Sequence, residues 1–387
     1  MKLRLWMLGA AIVALAPPAA AQTPKDVISF LVTNRWVQTG DFEKDQAAAA
    51  ATRDTIVRAL LVNLATVPIQ TSSSGFVYRL DPELGTVTRV SDSFGTFFVE
   101  RAATSGRGRG SIGASASAAG YDRLDGLHLR DGSLVTTANR FTDEASPFDT
   151  ESLTLRVSTR TLTVFGSYGV TDRLEIGGAL PFVQLHVEGT RLNVYRGESL
   201  VQASGFGDAS GVADAAVRAK YLIASGASGA FAVAGEVRLP TGDAGALLGA
   251  GRAALRMMAI ASAEHGRGGV HANAGFVRGG ASNEFTASGA FTMAATPRLT
   301  VSGELLLRRV ADLPPIAQAT FPHPTIGGVE TLRLVPDAGG STLSSAVTGV
   351  KWNPPATVVV TGQVWWRLGN AGLTAPFAPT ISVDYLF

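Results

Sequence analysis

The stretch Leu299-Thr-Val-Ser-Gly-Glu-Leu-Leu-Leu-Arg308 decides the fold. Leu299, Val301, Gly303, Leu305 and Leu307 alternate with Thr300, Ser302, Glu304 and Arg308. Successive side chains of a strand point to opposite faces, so this segment has one apolar and one polar face. The pattern recurs along the chain. Ala213 to Ile223 alternates with Asp214, Arg218 and Lys220, and Phe231 to Leu239 with Glu236 and Arg238. Val270 to Phe276 alternates with His271 and Asn273, and Phe285 to Met293 with Glu284, Thr286, Ser288 and Thr292. Val358 to Trp366 alternates with Thr361, Gln363 and Arg367, and Ile381 to Phe387 with Thr380, Ser382 and Asp384. A soluble β-sandwich alternates too. Here several strands exceed the usual length of about five or six residues, and the polar faces mix unlike charges.

The connections separate the two architectures. Strands are expected at 109–120, 151–169, 173–190, 211–224, 229–240, 252–265, 268–280, 283–294, 298–310, 341–352, 356–367 and 378–387. Every second link is short: Val170 to Asp172, Ser225 to Ser228, Gly266-Arg267, Ala295 to Pro297 and Asn353 to Pro355. The links 121–150, 191–210 and 311–340 are long. Short turns at one end and long loops at the other mark a transmembrane antiparallel β-barrel. About twelve strands are expected, or fourteen if Gly75 to Ala102 adds a hairpin. Leu153, Leu155 and Val157 are out of phase with Leu162 and Val164, which predicts a bulge.

Composition agrees. The 387 residues include 44 glycines, no cysteine and only 17% charged side chains, below the roughly 25% of soluble domains. Without cysteine there are no disulfides, thiolate metal sites or Cys nucleophiles. Lys2 and Arg4, the apolar Leu5 to Leu15, Pro17-Pro18 and Ala19-Ala20-Ala21 form a signal peptide over 1–21, cleaved near Ala21. Removing Lys2 and Arg4 cancels the net charge of +2, so the charge balance gives no argument for nucleic-acid binding.

Residues 22–108 form an N-terminal periplasmic or plug segment, and 109–387 the barrel. Val27 to Val37 looks extended. Asp45 to Thr66 is the one convincing helix, with Ile56, Val57, Leu60, Leu61 and Leu64 at helical spacing. It is either a packing element or a helix that blocks a lumen. Gly75 to Leu80, Thr86 to Val90 and Thr96 to Glu100 are short β-rich pieces, and Gly106 to Gly110 is a flexible basic linker.

Charges facing hydrocarbon would cost roughly 2–4 kcal/mol each for Arg or Lys at the midplane. Arg218, Lys220, Glu236, Arg238, Arg256, Asn273, Glu304, Arg308, Gln363, Arg367 and Asp384 are therefore expected inside. There they would either pair with one another or line a pore. Trp365, Trp366 and Leu368 at one end, and Tyr385 and Phe387 at the other, suggest aromatic girdles.

Two resemblances extend this reading. The ending Asp384-Tyr385-Leu386-Phe387, with Tyr385 and Phe387 as its signal residues, resembles the segment by which the barrel assembly machinery recognises outer-membrane barrels. Gly166-Ser-Tyr-Gly-Val-Thr-Asp-Arg-Leu-Glu-Ile-Gly-Gly-Ala-Leu-Pro-Phe-Val183 is similar to a strand–turn–strand segment of outer-membrane proteins of the phenol-degradation meta-pathway. That family is grouped with the long-chain fatty-acid type transporters, and the resemblance implies passage of small hydrophobic molecules.

Catalytic signals are weak. Gly108-x-Gly110-x-x-Gly113 lacks a βαβ context, so it reads as a barrel entry. No histidine cluster has metal-ligand spacing. Outer-membrane phospholipases use outward His, Ser and Asn, whereas His271-Ala272-Asn273 lies on a polar, inward face. The expectation is an outer-membrane channel or transporter, not an enzyme, without cofactor or metal. Its partners would be outer-membrane lipid, the assembly machinery and a small solute. A closed structural or adhesive barrel and a lipid hydrolase are the alternatives.

Overall fold

The computed structural model describes residues 22–65, 78–80, 87–89, 93–226, 229–354 and 357–387. The expected signal peptide lies outside them, as do Thr66 and parts of the Gly75 to Leu80 and Thr86 to Val90 pieces. Twelve antiparallel strands close a barrel: β1 (Gly110–Tyr121), β2 (Asp149–Gly169), β3 (Leu174–Tyr195), β4 (Ala216–Ser225), β5 (Gly229–Arg238), β6 (Ala254–His265), β7 (Gly268–Gly279), β8 (Glu284–Thr296), β9 (Leu299–Val310), β10 (Ser341–Trp352), β11 (Val358–Arg367) and β12 (Phe377–Leu386). Each pairs with its neighbour in sequence, and β12 closes on β1. Phe387 continues the seam, exchanging backbone hydrogen bonds with Gly110 at 2.9 and 3.0 Å.

The fourteen-strand alternative fails. Tyr78–Leu80 pairs only with Val87–Arg89, as a separate ribbon. Ser93 to Glu100 forms bends, not the expected strand at Thr96 to Glu100. The short turns gather at one end, hereafter the turn end.

At the opposite end the expected loops are not loops. β2 and β3 run for 21 and 22 residues, where about 9–11 suffice to cross a bilayer. Their far halves leave the wall and join four outer strands, Leu134–Phe141, Glu198–Val212, Ile316–Pro322 and Val329–Pro336. The result is a six-stranded crown that continues one side of the barrel. Arg196 and Gly197 both have positive φ, 49° and 88°, which suits a two-residue hairpin turn.

Nor does β2 bulge where its hydrophobic phase shifts. Its register with β3 is unbroken from Asp149↔Tyr195 to Gly169↔Glu175. Leu162 and Val164 are half exposed on the outer face, whereas Leu153, Leu155 and Val157 are buried on the inner one. The strand stays regular while its surroundings invert. In the barrel, the outside is apolar. In the crown, helices fill the inside and Arg156 and Ser158 face out.

Those helices are α1 (Pro24–Leu31) and α2 (Phe42–Ala65). α1 replaces the extended segment expected at Val27 to Val37. Thr23 caps it, its hydroxyl accepting from the amide of Asp26 at 3.2 Å, and Pro24 opens the first turn, where its missing N–H costs nothing. Val27, Ile28 and Leu31 are fully buried. α1 packs on glycines of Glu198–Val212: a Cβ at Gly207 would lie 2.6 Å from the carbonyl oxygen of Gln22. In α2, Ile56, Ala59 and Leu60 complete the same core. No helix among the described residues is long and apolar enough to cross a membrane.

The outer wall is an apolar belt. Ile176, Leu180, Val217, Phe276, Phe285, Phe291, Leu305 and Ile381 all stand about half exposed. Trp366 and Phe377 neighbour each other near the crown end, with ring centroids 6.4 Å apart, and Tyr385 and Phe387 do so at the turn end. Trp365 corrects the girdle reading: it turns inward and meets Phe98 edge-on at 5.1 Å.

Candidate functional site: an occupied lumen

The lumen is filled from the turn end by residues 93–105, and the polar wall faces hold them. Ser93 stands by Thr292, and the amide of Phe94 donates to the Thr300 hydroxyl at 2.9 Å. The carboxylate of Glu304 accepts three successive amides, from Phe97, from Phe98 at 2.9 Å and from Val99 at 3.1 Å. The chain then returns to the turn end. Ala102 donates to Ser262 at 2.9 Å, and the Ser105 amide to Glu175 at 2.7 Å.

Charges from both sides meet at the top of this excursion. Glu100 pairs with Arg218 and lies 3.5 Å from Lys220. Lys220 also reaches Glu175 at 3.2 Å and donates to the Arg101 carbonyl. Arg101, fully buried, faces Glu264 at 3.6 Å. Turned to satisfy both of its ends, the Asn273 amide donates to the Glu100 carbonyl and accepts its N–H. Ions taken from water this completely need close partners, because the attraction must offset their lost hydration.

The other expected interior residues lie higher or further round the wall. Glu236 is buried and bonded to Arg238 at 3.0 Å, with Arg256 opposite it on β6. Arg308 forks onto Glu284 at 2.9 and 3.0 Å and donates to the Val62 carbonyl of α2 at 3.4 Å. Arg367 binds Asp122 at 2.6 Å. Gln363 and Asp384 are buried, and Asp384 lies close enough to Gly113 that a Cβ there would sit 2.8 Å from its carboxylate. Lone alternating segments cannot announce that a distant stretch, 93–105, supplies the partners of Arg218, Lys220, Asn273 and Glu304. Glu100 and Arg101 were therefore missed as interior charges.

Between this floor and α2 lies a chamber of about 240 Å³. Asn63 and Leu64 close it at the crown end, Phe98 and Trp365 line its floor, and Ser115, Ser117, Thr161 and Thr380 form one wall. A groove on the outer surface, with Leu162, Phe182 and Ile381, shares Ser117, Thr161 and Thr380 with the chamber. From Gly113 to Gly120, β1 carries only glycine, alanine and serine, so the wall is thin there.

His271 does not face lipid. It is buried in the lumen, bonded to Ser262 at 2.9 Å, in a network that also holds the Ala102 amide. No group of side chains able to hold a metal ion occurs among the described residues.

Residues 133–312 match the family described as Putative MetA-pathway of phenol degradation. The chain is a closed antiparallel β-barrel that resembles this family over that segment. The matched segment runs from the crown strand Leu134–Phe141 through β9. Among solved structures, the COG4313 outer membrane channel from Pseudomonas putida F1 is 14% identical, with a TM-score of 0.47 over 74% of this chain and 97% of that one. The KdgM porin is 8% identical, with a TM-score of 0.38 over 72% and 99%. The NanC porin is 8% identical, with a TM-score of 0.33 over 70% and 98%. A search of curated proteins gives no match.

Proposed function

We propose that the protein is a bacterial outer-membrane channel that passes small molecules through the chamber, with residues 93–105 as an internal plug. The chamber carries this reading. A barrel closed for strength alone has no need of a cavity of about 240 Å³ between two separately anchored segments. An apolar cavity of roughly 150 Å³ already accepts benzene, so a solute of one or two rings fits. The matched family's description adds aromatic compounds as the solute class. The crown faces the exterior and the turn end the periplasm, as is usual for barrels with one set of short turns. Signal-peptide cleavage near Ala21 and recognition of Tyr385 and Phe387 during assembly belong to the same proposal.

The shared residues Ser117, Thr161 and Thr380 favour a second route, sideways from the chamber through the thin wall at β1 into the outer-surface groove. Planar-bilayer recording separates the routes. Axial passage gives conductance steps that grow when residues 22–105 are deleted. Lateral passage gives a silent bilayer while vesicles holding the protein still take up a neutral aromatic solute. If neither version conducts and neither supports uptake, the barrel is a closed structural element and the reading is wrong. Activity of the purified protein on phospholipid, abolished by His271→Ala, would instead establish the hydrolase.

A further inference from the structure

We propose that the exterior ends of β7 and β9 form a binding site for the phosphate groups of an outer-leaflet glycolipid, with Arg278 and Arg309 as its ligands. The outward positions of the twelve strands are nearly free of charge. The exceptions lie towards the crown end: Arg156, Arg160, Glu188, Arg278 and Arg309, with His186 beside them. Arg156 is offset by Glu188 at 3.8 Å, and His186 is bonded to Asp208 of an outer strand. Arg160, on the far side of the barrel, and Arg278 have no ion pair among the described residues.

Arg278 and Arg309 share one arc. Arg278 lies two residues beyond Phe276, and Arg309 two beyond Leu307. Phe276 pairs across with Phe285, and Phe285 with Arg309, so both guanidinium groups border the same apolar patch. Arg309 donates to the Thr342 hydroxyl of β10 at 3.1 Å, which fixes the head outward at the border. The acidic group near this arc, Asp312, accepts from the amide and side chain of Asn283 at 3.1 and 3.3 Å. The surface thus offers two guanidinium groups over exposed Phe276, Phe285 and Leu307. That combination suits a phosphorylated head above acyl chains, because the planar guanidinium fork matches phosphate geometry.

The opposite border of the same wall is built differently. Tyr168, Trp352, Tyr385 and His265 end the strands there, and the arginines of that end, such as Arg173 and Arg298, sit in the turns beyond the wall. A charge at the border, unlike one at mid-bilayer, is almost free of penalty, so solvation alone would permit arginine at either border. Arg160 stands singly on the far side, whereas Arg278 and Arg309 border one shared apolar patch, and that pairing calls for a partner found in that leaflet.

The inference rests on the orientation proposed above, and its test needs no transport. Full-length protein, freed of lipid in non-ionic detergent, is titrated with diphosphorylated lipid A, with its dephosphorylated form and with inorganic phosphate. Bound adducts are counted by native mass spectrometry. Saturable binding of lipid A is expected, at least tenfold weaker for the dephosphorylated form and for the Arg278→Gln/Arg309→Gln variant, and undisturbed by millimolar phosphate. The Arg160→Gln variant is expected to bind like the parent. The site is refuted if the double variant binds as tightly as the parent, if phosphorylation makes no difference, if free phosphate competes, or if Arg160→Gln weakens binding equally. Circular dichroism establishes that each variant keeps its barrel.

Discussion

Glu304 shows what one interior carboxylate does. Three amides of residues 97–99 end on it, and a typical hydrogen bond contributes roughly 0.5–1.5 kcal/mol net. Glu304→Gln keeps the shape but replaces one acceptor oxygen by an amide donor. More frequent and larger conductance steps are expected in planar bilayers, with the barrel's circular dichroism unchanged. A variant as silent as the parent would show that Glu304 does not hold the plug. Arg308 tests the other boundary of the chamber. Its fork onto Glu284 and its reach to Val62 join β9 to α2. Arg308→Ala leaves a buried carboxylate unpaired, a loss of about 3–5 kcal/mol, expected as a lowered thermal unfolding midpoint. At this scale the sequence was legible only in part. The period-two pattern located Glu304 and Arg308, because charge facing mid-bilayer hydrocarbon is costly. It was silent on their partners, because a segment without periodicity supplies them.

At the scale of the element, β2 shows why strand positions were readable and the strand's character was not. Its wall half alternates one way and its crown half the other, and a reader who assumes one environment infers a bulge. The inversion separates two substitutions. Val164→Arg puts a cation into the belt and is expected to cost about 2–4 kcal/mol in folding into lipid vesicles. Leu155→Arg leaves membrane folding intact but charges the core beneath α1, so limited trypsin digestion is expected to cut near Arg35 faster than in the parent. Equal behaviour of the two variants in both assays would contradict the inversion. α1 escaped the sequence reading for a similar reason. Eight residues are too few for helical periodicity to stand out from an extended run, and such short helices are stabilised mainly by packing. Here the glycines at 205 and 207 let the crown strand approach. Gly207→Leu is expected to dislodge α1, seen as faster amide exchange at Val27 and Ile28.

For the molecule as a whole, alternation and turn parity were enough to specify a closed barrel, because both follow from covering a cylinder with lipid. The crown, the occupied lumen and the chamber depend on contacts far apart in sequence, which no local period encodes. The arrangement predicts that an epitope placed just before Gln22 is reachable by antibody on intact cells, while one inserted in the Val170–Arg173 turn is reached only after the envelope is opened. The reverse result would overturn the assigned orientation.

The helices α1 and α2 rest at the crown end, Ser93 to Ser105 enters from the turn end, and β1 begins there. The ring is thus stoppered from both mouths by pieces of one polypeptide, each seated on staves that must first be joined. Sealing of the β1–β12 seam is therefore expected before either stopper becomes protected from protease during biogenesis.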